Sequence, residues 1–185
     1  MRVLVRGGSI AAGVGVSRGY ADILRERCAA LGTEVINRSR PRETSFDAVE
    51  TFSSDIEPCR PDILVVHFGI DDAFSGVYRS EFKENLVRIV RLARRTLSAA
   101  VVLSTSHPLP DPNERAAVDV YYRTIREVAA DLACDTVPVH TAWAGYCMDR
   151  GLAGPAFLQA DPRLPDEEGH GLYAAFLGAC IDRLL

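Results

Sequence analysis

A doubly wound α/β domain built on a parallel sheet is what this sequence predicts, and three observations predict it. Short apolar runs alternate with longer segments of helical period along the chain. The runs are apolar at consecutive positions, as strands covered on both faces of a parallel sheet must be. With 185 residues, 48% of them hydrophobic and 25% charged, the chain can bury one sizeable core, so residues 1–185 are expected to form a single domain.

The run RVLV, Arg2 to Val5, is the first strand. It opens into a glycine-rich turn and the helical stretch SRGYADILRERCAALG, which ends on a Gly32 cap. TEVINRS is a second strand, and PDILVVHFG, Pro61 to Gly69, a third. In SEFKENLVRIVRLARRTL, residues Phe82, Leu86, Ile89, Val90 and Ala93 fall on one helical face. AAVVLSTS is a fourth strand, NERAAVDVYYRTIREVAADLA a helix, DTVPVH a short fifth strand and GHGLYAAFLGACIDRLL the closing helix. Strands alternating with helices imply right-handed βαβ units and three layers. There is no internal repeat, low-complexity tract or linker, and HPLPDPNE reads as a rigid polar loop.

Several functional classes are set aside by composition. A net charge of -4 gives no overall attraction to nucleic acid or to an anionic membrane. No apolar run approaches the roughly 18 residues needed to cross a bilayer. The sequence enters RVLVRGG without a signal-peptide pattern, so a cytoplasmic protein is expected. Cys28, Cys59, Cys134, Cys147 and Cys180 are scattered and form no CxxC pair, which reads as buried free thiols rather than zinc or redox chemistry.

In such sheets the working site lies beyond the carboxyl ends of the strands. That selects the loops RGGSIAAG, INRSRPRETS, HFGIDDAF and STSHPLP, and the stretch ADPRLPDEEGHGLY before the last helix. GGSIAAGVGVSRG is neither G-x-G-x-x-G nor a Walker sequence, so no nucleotide cofactor is expected. A serine presented at Gly7-Gly8-Ser9-Ile10, where glycines let the backbone approach a ligand, is one reading of the turn; Ser9 as a simple cap is the other.

Taken together and in order, these segments resemble the SGNH/GDSL hydrolase family over almost the whole chain. GGSI is similar to the Gly-Asp-Ser block and puts the nucleophile at Ser9, while VINRSRPRETSFDAV resembles the second block. PDILVVHFGIDDAF resembles the Gly-x-Asn-Asp block, with Gly69, Asp71 and Asp72, and FLQADPRLPDEEGHGLYAAFL the final Asp-x-x-His block. The resemblance implies a flavodoxin-like α/β/α sandwich with strand order 2-1-3-4-5. It also implies serine-based hydrolysis of esters, thioesters or acetylated sugars, with Ser9, Asp71, Asp72 and Asp161 on one rim.

Four positions depart from that pattern. Gly8 replaces the acid of the first block, and Arg42 falls near the second-block glycine whose amide serves the oxyanion hole. Asp71 stands for the oxyanion-binding asparagine; Asp161 matches the triad acid, but Leu164 occupies the histidine position. A leucine cannot take the serine proton, which predicts a loss of about 10^4 to 10^6 in rate by the usual route. An ionised Asp71 would also repel the oxyanion, where loss of a single donor already costs about 3 to 4 kcal/mol.

A replacement base is sought first at His107, on the rim after the fourth strand. His67 reads as a core histidine, His170 as structural, and the role of His140 is open. Among Arg38, Arg40 and Arg42, the last is the candidate to hold a substrate carboxylate or phosphate. A metal on Asp71, Asp161 and His107 matches no known ligand spacing. Three readings stay open: a repurposed enzyme using Ser9, Asp71 and His107 for acyl transfer, hydrolysis, cyclisation or elimination of a small molecule; a pseudo-hydrolase that binds without turnover; and a conventional hydrolase with a relocated base. In the first, Asp71 is the acid/base group, its pKa displaced by the neighbouring Asp72 and by the limited solvation of the rim, with Gly8, Arg42, Gly69 and Asp72 shaping the substrate site.

Overall fold

The computed structural model describes residues 1–152 and 156–185. Five strands, β1 (Arg2–Gly7), β2 (Glu34–Asn37), β3 (Ile63–His67), β4 (Ala100–Ser104) and β5 (Asp135–Val137), form one sheet in the order β2-β1-β3-β4-β5, parallel throughout. This is the expected order. The central strand β3, ILVVH, is buried at every position, and Val3, Leu4 and Val5 of β1 are wholly inaccessible. That accounts for the unbroken apolar runs, since each face of the sheet is covered by helices.

The helices are α1 (Tyr20–Ala29), α2 (Ser45–Glu50), α3 (Ile70–Phe74), α4 (Arg79–Leu92), α5 (Pro112–Asp131), α6 (Val139–Asp149) and α7 (Glu167–Ile181). α1 packs on α7 and α6 on α7, while α4 packs on both α2 and α5, which gives the two outer layers. The amphipathic α4 turns Phe82, Leu86, Ile89 and Val90 inward as its period demands, then closes as a π-helical turn over Ala93–Leu97. α5 opens on Asp111, whose carboxylate accepts the Asn113 and Glu114 amides, with Pro112 in the first helical position.

Three helices were not expected from the sequence. α2 and α3 are single short turns whose polar residues mask any period. α6, VHTAWAGYCMD, buries only Val139 and Trp143, so it lacks a continuous apolar stripe; it also shortens the fifth strand, which ends at Val137 rather than at His140. No helix among the described residues is long and apolar enough to cross a membrane.

Candidate active site

The chain passes from β1 to β2 on one side of β1 and to β3 on the other, so the loops leaving β1 and β3 diverge and open a crevice at their carboxyl ends. Ser9 lies two residues beyond β1, and Asp71 just beyond β3 in the first turn of α3. The glycines before Ser9 are demanded by crowding. A Cβ on Gly7 would stand 2.4 Å from the His67 carbonyl oxygen, and one on Gly8 would stand 2.1 Å from Asp71 Oδ2 and 2.6 Å from the Glu43 carbonyl oxygen.

The Asp71 carboxylate grips Ser9 twice. Its Oδ1 accepts the Ser9 hydroxyl at 2.7 Å and its Oδ2 accepts the Ser9 backbone N–H at 2.7 Å. The Arg42 backbone N–H donates to Ser9 Oγ at 2.9 Å, completing the line Arg42 N–H to Ser9 O–H to Asp71. Arg42 has φ 63, a left-handed conformation that costs a side-chain-bearing residue on the order of 1 to 3 kcal/mol. Burial raises the Asp71 pKa above the ordinary carboxylate range, and the two Ser9 hydrogen bonds partly oppose that.

These contacts decide the fate of the oxyanion site. In serine hydrolysis the nucleophile's own amide commonly serves the developing anion. Here the Ser9 amide is spent on a carboxylate, the Arg42 amide is spent on Ser9 Oγ, and residue 71 offers an acceptor where a donor is needed. The carboxylate fits because residue 8 has no side chain. The Asp71 carboxylate thus lies against the Ser9 hydroxyl and amide, in the space left by the absent side chain of residue 8.

The crevice encloses a cavity of about 350 Å³ walled by Ser9, Arg42, Asp71, Phe74, Asp161, Arg163 and Leu164, with Ile10, Val14, Ile70 and Ser75. Asp161 sits at the wall as expected, but its Oδ1 accepts the Arg163 amide at 3.0 Å and it orients no imidazole. Leu164 presents a side chain with no proton acceptor to the same wall. The acids after it belong to the helix: Asp166 caps α7, accepting the Gly169 amide at 2.8 Å. Arg163, which the sequence reading overlooked, pairs with Glu114 and lies 3.8 Å over the Phe74 ring.

Three expectations need correction. His107 is wholly buried and off the cavity wall; its ring bonds the Tyr173 hydroxyl through Nδ1 at 2.9 Å and the Pro162 carbonyl through Nε2 at 2.9 Å. A carbonyl only accepts, so Nε2 carries the proton, Nδ1 accepts from tyrosine, and neither nitrogen is free to act as a base. Burial pushes this imidazole down to about 4. Asp72 is also wholly buried, accepting the Ser45 amide at 2.8 Å and the Gly69 amide at 3.0 Å, and so ties α2 to α3 instead of meeting a substrate. Its own pKa is raised to about 6, by burial first; of the two causes expected for Asp71, burial raises it and Asp72 does not. Gly69, with φ 129, turns the chain from β3 into α3 and faces Tyr121, Ile125 and Phe82, not the cavity.

None of the four histidines, all among the described residues, reaches the cavity wall. His67 joins the Tyr20 hydroxyl to Ser106 Oγ at 3.0 Å each, and His170 Nδ1 accepts the Tyr20 amide at 3.1 Å. His140 bonds Thr105 Oγ1 at 2.8 Å in the first turn of α6. With His107 removed from the cavity, the metal set of Asp71, Asp161 and His107 is not assembled. Sequence reasoning also missed Arg6, which is wholly buried at the end of β1 and pairs with Glu43 and Asp55. It further donates to the Arg38 carbonyl at 2.7 Å and to Thr51 Oγ1 at 2.9 Å, which pins the loop that carries Arg42. A charged residue inside an apolar strand was the available signal.

Comparison with known proteins agrees with this architecture. The family model described as GDSL-like Lipase/Acylhydrolase matches residues 5–172. Esterase TesA of Pseudomonas aeruginosa is 28% identical over 169 residues, covering 88% of this chain and 83% of that protein. Among solved structures, TesA superposes with a TM-score of 0.84 at 24% identity over 100% of both chains. The acetyl xylan esterase AlAXEase gives a TM-score of 0.87 at 17% identity over 98% of this chain and 100% of that one. A catalytic mutant of the acetylxylan esterase Axe2 of Geobacillus stearothermophilus gives 0.82 at 21% identity over 95% and 91%. By the extent of the family match and by the fold, the chain belongs to the GDSL-like lipase/acylhydrolase family.

Proposed function

We propose that this family member transfers protons on a small polar molecule through a Ser9–Asp71 dyad and does not hydrolyse esters through a serine-histidine-aspartate triad. One observation carries the reading: Asp71 holds both the hydroxyl and the amide of Ser9 at 2.7 Å. A desolvated carboxylate of raised pKa is a better general base than an ordinary one. Ser9 relays: Oγ takes a proton from the substrate as its own proton passes to Asp71 Oδ1, and reversal returns a proton to another atom of the substrate. The Arg42 N–H steadies negative charge on Oγ during the exchange.

Such chemistry isomerises, cyclises or eliminates and needs no tetrahedral oxyanion. A relocated histidine base is disfavoured because no histidine lines the cavity. Binding without turnover is the competing reading, favoured by the internal satisfaction of both Asp71 oxygens. The five free thiols suit a reducing, cytoplasmic setting.

Two measurements test the proposal. Wild type should hydrolyse p-nitrophenyl acetate no faster than Ser9→Ala, and a fluorophosphonate should leave Ser9 unlabelled by intact mass. In D2O, wild type should catalyse C–H to C–D exchange on a panel containing pyruvate, hydroxyacetone and dihydroxyacetone, and Ser9→Ala and Asp71→Asn should not. Ser9-dependent ester turnover at roughly 1 per second or faster would restore ordinary serine hydrolysis. No exchange on any panel member would favour binding alone.

A further inference from the structure

We propose that the Arg42 guanidinium anchors a carboxylate of the ligand, so that the cavity takes small organic acids whose hydroxyl, amine or acidic C–H faces Ser9 and Asp71. The inference rests on the cavity being the working site, and it names the class of molecule that site accepts.

Four observations carry it. Arg42 lines the cavity, yet its guanidinium has no ion pair or hydrogen bond among the described residues. Arg163, the other cationic wall residue, is already engaged by Glu114 and Phe74. The Arg42 backbone adopts φ 63, where glycine is the comfortable residue, so a guanidinium is kept at this rim against a conformational cost. The backbone is also fixed on both sides: its amide bonds Ser9 Oγ, and the adjacent Glu43 is clamped by Arg6 and Arg40. The guanidinium therefore projects from a rigid mount, which limits the ordering a ligand must bring about.

Charge sets the orientation. The Asp71 carboxylate repels an anionic group at the floor, while the unpaired Arg42 attracts one at the rim, where a guanidinium can offer two parallel N–H donors. A molecule carrying an acid at one end and a removable proton at the other satisfies both ends of the cavity. A neutral molecule leaves Arg42 to water, and an acid presented to Asp71 meets like charge.

The test is a titration followed by the backbone amide shifts of Ser9, Arg42 and Asp71. Glycolate, lactate, 3-hydroxybutyrate and pyruvate serve as probes, each paired with its neutral amide. Wild type should bind at least one acid about tenfold or more tightly than its amide, and Arg42→Gly should lose that preference, with Arg42→Lys retaining part of it. Arg42→Gly keeps the amide that bonds Ser9 and relieves the left-handed strain, so its thermal midpoint should not fall, which separates lost recognition from lost folding. Equal affinity for acids and amides, an Arg42→Gly protein that binds acids as well as wild type does, or no acid shifting these amides at about 20 mM, far above the usual micromolar-to-millimolar range, would overturn the inference. Acid binding through Arg42 without C–H exchange would instead overturn proton transfer and leave the acid anchor standing.

Discussion

The close fit of the Asp71 carboxylate against Gly8 predicts strong energetic coupling between positions 8 and 71. In Gly8→Ala the new methyl would stand 2.1 Å from Asp71 Oδ2 and 2.9 Å from its Cγ, so the carboxylate must leave Ser9 or the turn must shift. Overpacking of this kind costs about 1 to 3 kcal/mol, and the displaced carboxylate forfeits charge-assisted hydrogen bonds worth about 1.5 to 3 kcal/mol each at most. In an Asp71→Ala background the carboxylate is already gone, and only the Glu43 carbonyl, 2.6 Å from the added Cβ, still opposes the methyl. The cost of Gly8→Ala should therefore be about 1 to 2 kcal/mol smaller there than in wild type. Urea denaturation of wild type, both single variants and the double variant closes the cycle. Additivity within about 0.5 kcal/mol would show that residue 8 does not make room for Asp71.

Three further predictions follow from the same geometry. Leu164→His alone should gain no Ser9-dependent hydrolysis of p-nitrophenyl acetate, because Asp71 still fills the oxyanion space, whereas Leu164→His with Asp71→Asn should exceed either single variant by about tenfold or more; equal rates in the single and double variants would refute that role. Arg6→Leu should destabilise the fold by about 3 to 5 kcal/mol, since Glu43 and Asp55 lose a buried partner, and a loss under about 1 kcal/mol by denaturant titration would contradict it. Acid should also destabilise the protein. His67 at about 3 and His107 and His170 at about 4 lie below the unfolded value of about 6.5, so from pH 6.5 downward the unfolded chain binds up to three more protons, while Asp72, raised to about 6, lets the folded state bind one. The net of about two protons gives a loss of at most about 2.7 kcal/mol per pH unit between pH 6 and 5, and equal stability by urea titration at both values would rule it out.

Sheet order and layers were legible because parallel strands buried on both faces leave unbroken apolar runs, and the segment order carried the rest. The short helices were not, because α2 and α3 span too few residues to show a period and α6 buries too few side chains to show a stripe. Within the site, the juxtaposition of Ser9, Arg42 and Asp71 followed from the loops that hold them. The roles given to His107 and Asp72 failed for a common reason. Each follows a strand at the carboxyl edge, but a position just after a strand can point into the layer beside the sheet as readily as into the crevice. His107 turns toward Tyr173 and Trp143, and Asp72 toward the start of α2. Spacing along the chain does not record that choice; the packing partners make it.

The same distinction explains why Asp71 and Asp72, adjacent in sequence, take opposite parts. Both belong to the first turn of α3, which projects successive side chains about 100° apart. Asp72 is directed inward, where amides from Gly69 and Ser45 saturate it and no substrate can reach it. Asp71 is directed at the crevice, where its only hydrogen-bonding partner among the described residues is Ser9, whose hydroxyl can give a proton and take one back. Asp72 binds two amides, which cannot part with a proton at neutral pH. Asp71 is bound to one amide and one hydroxyl, and the hydroxyl opens onto a cavity of about 350 Å³. On the proposed reading, that hydroxyl is the group through which Asp71 exchanges a proton with a bound molecule.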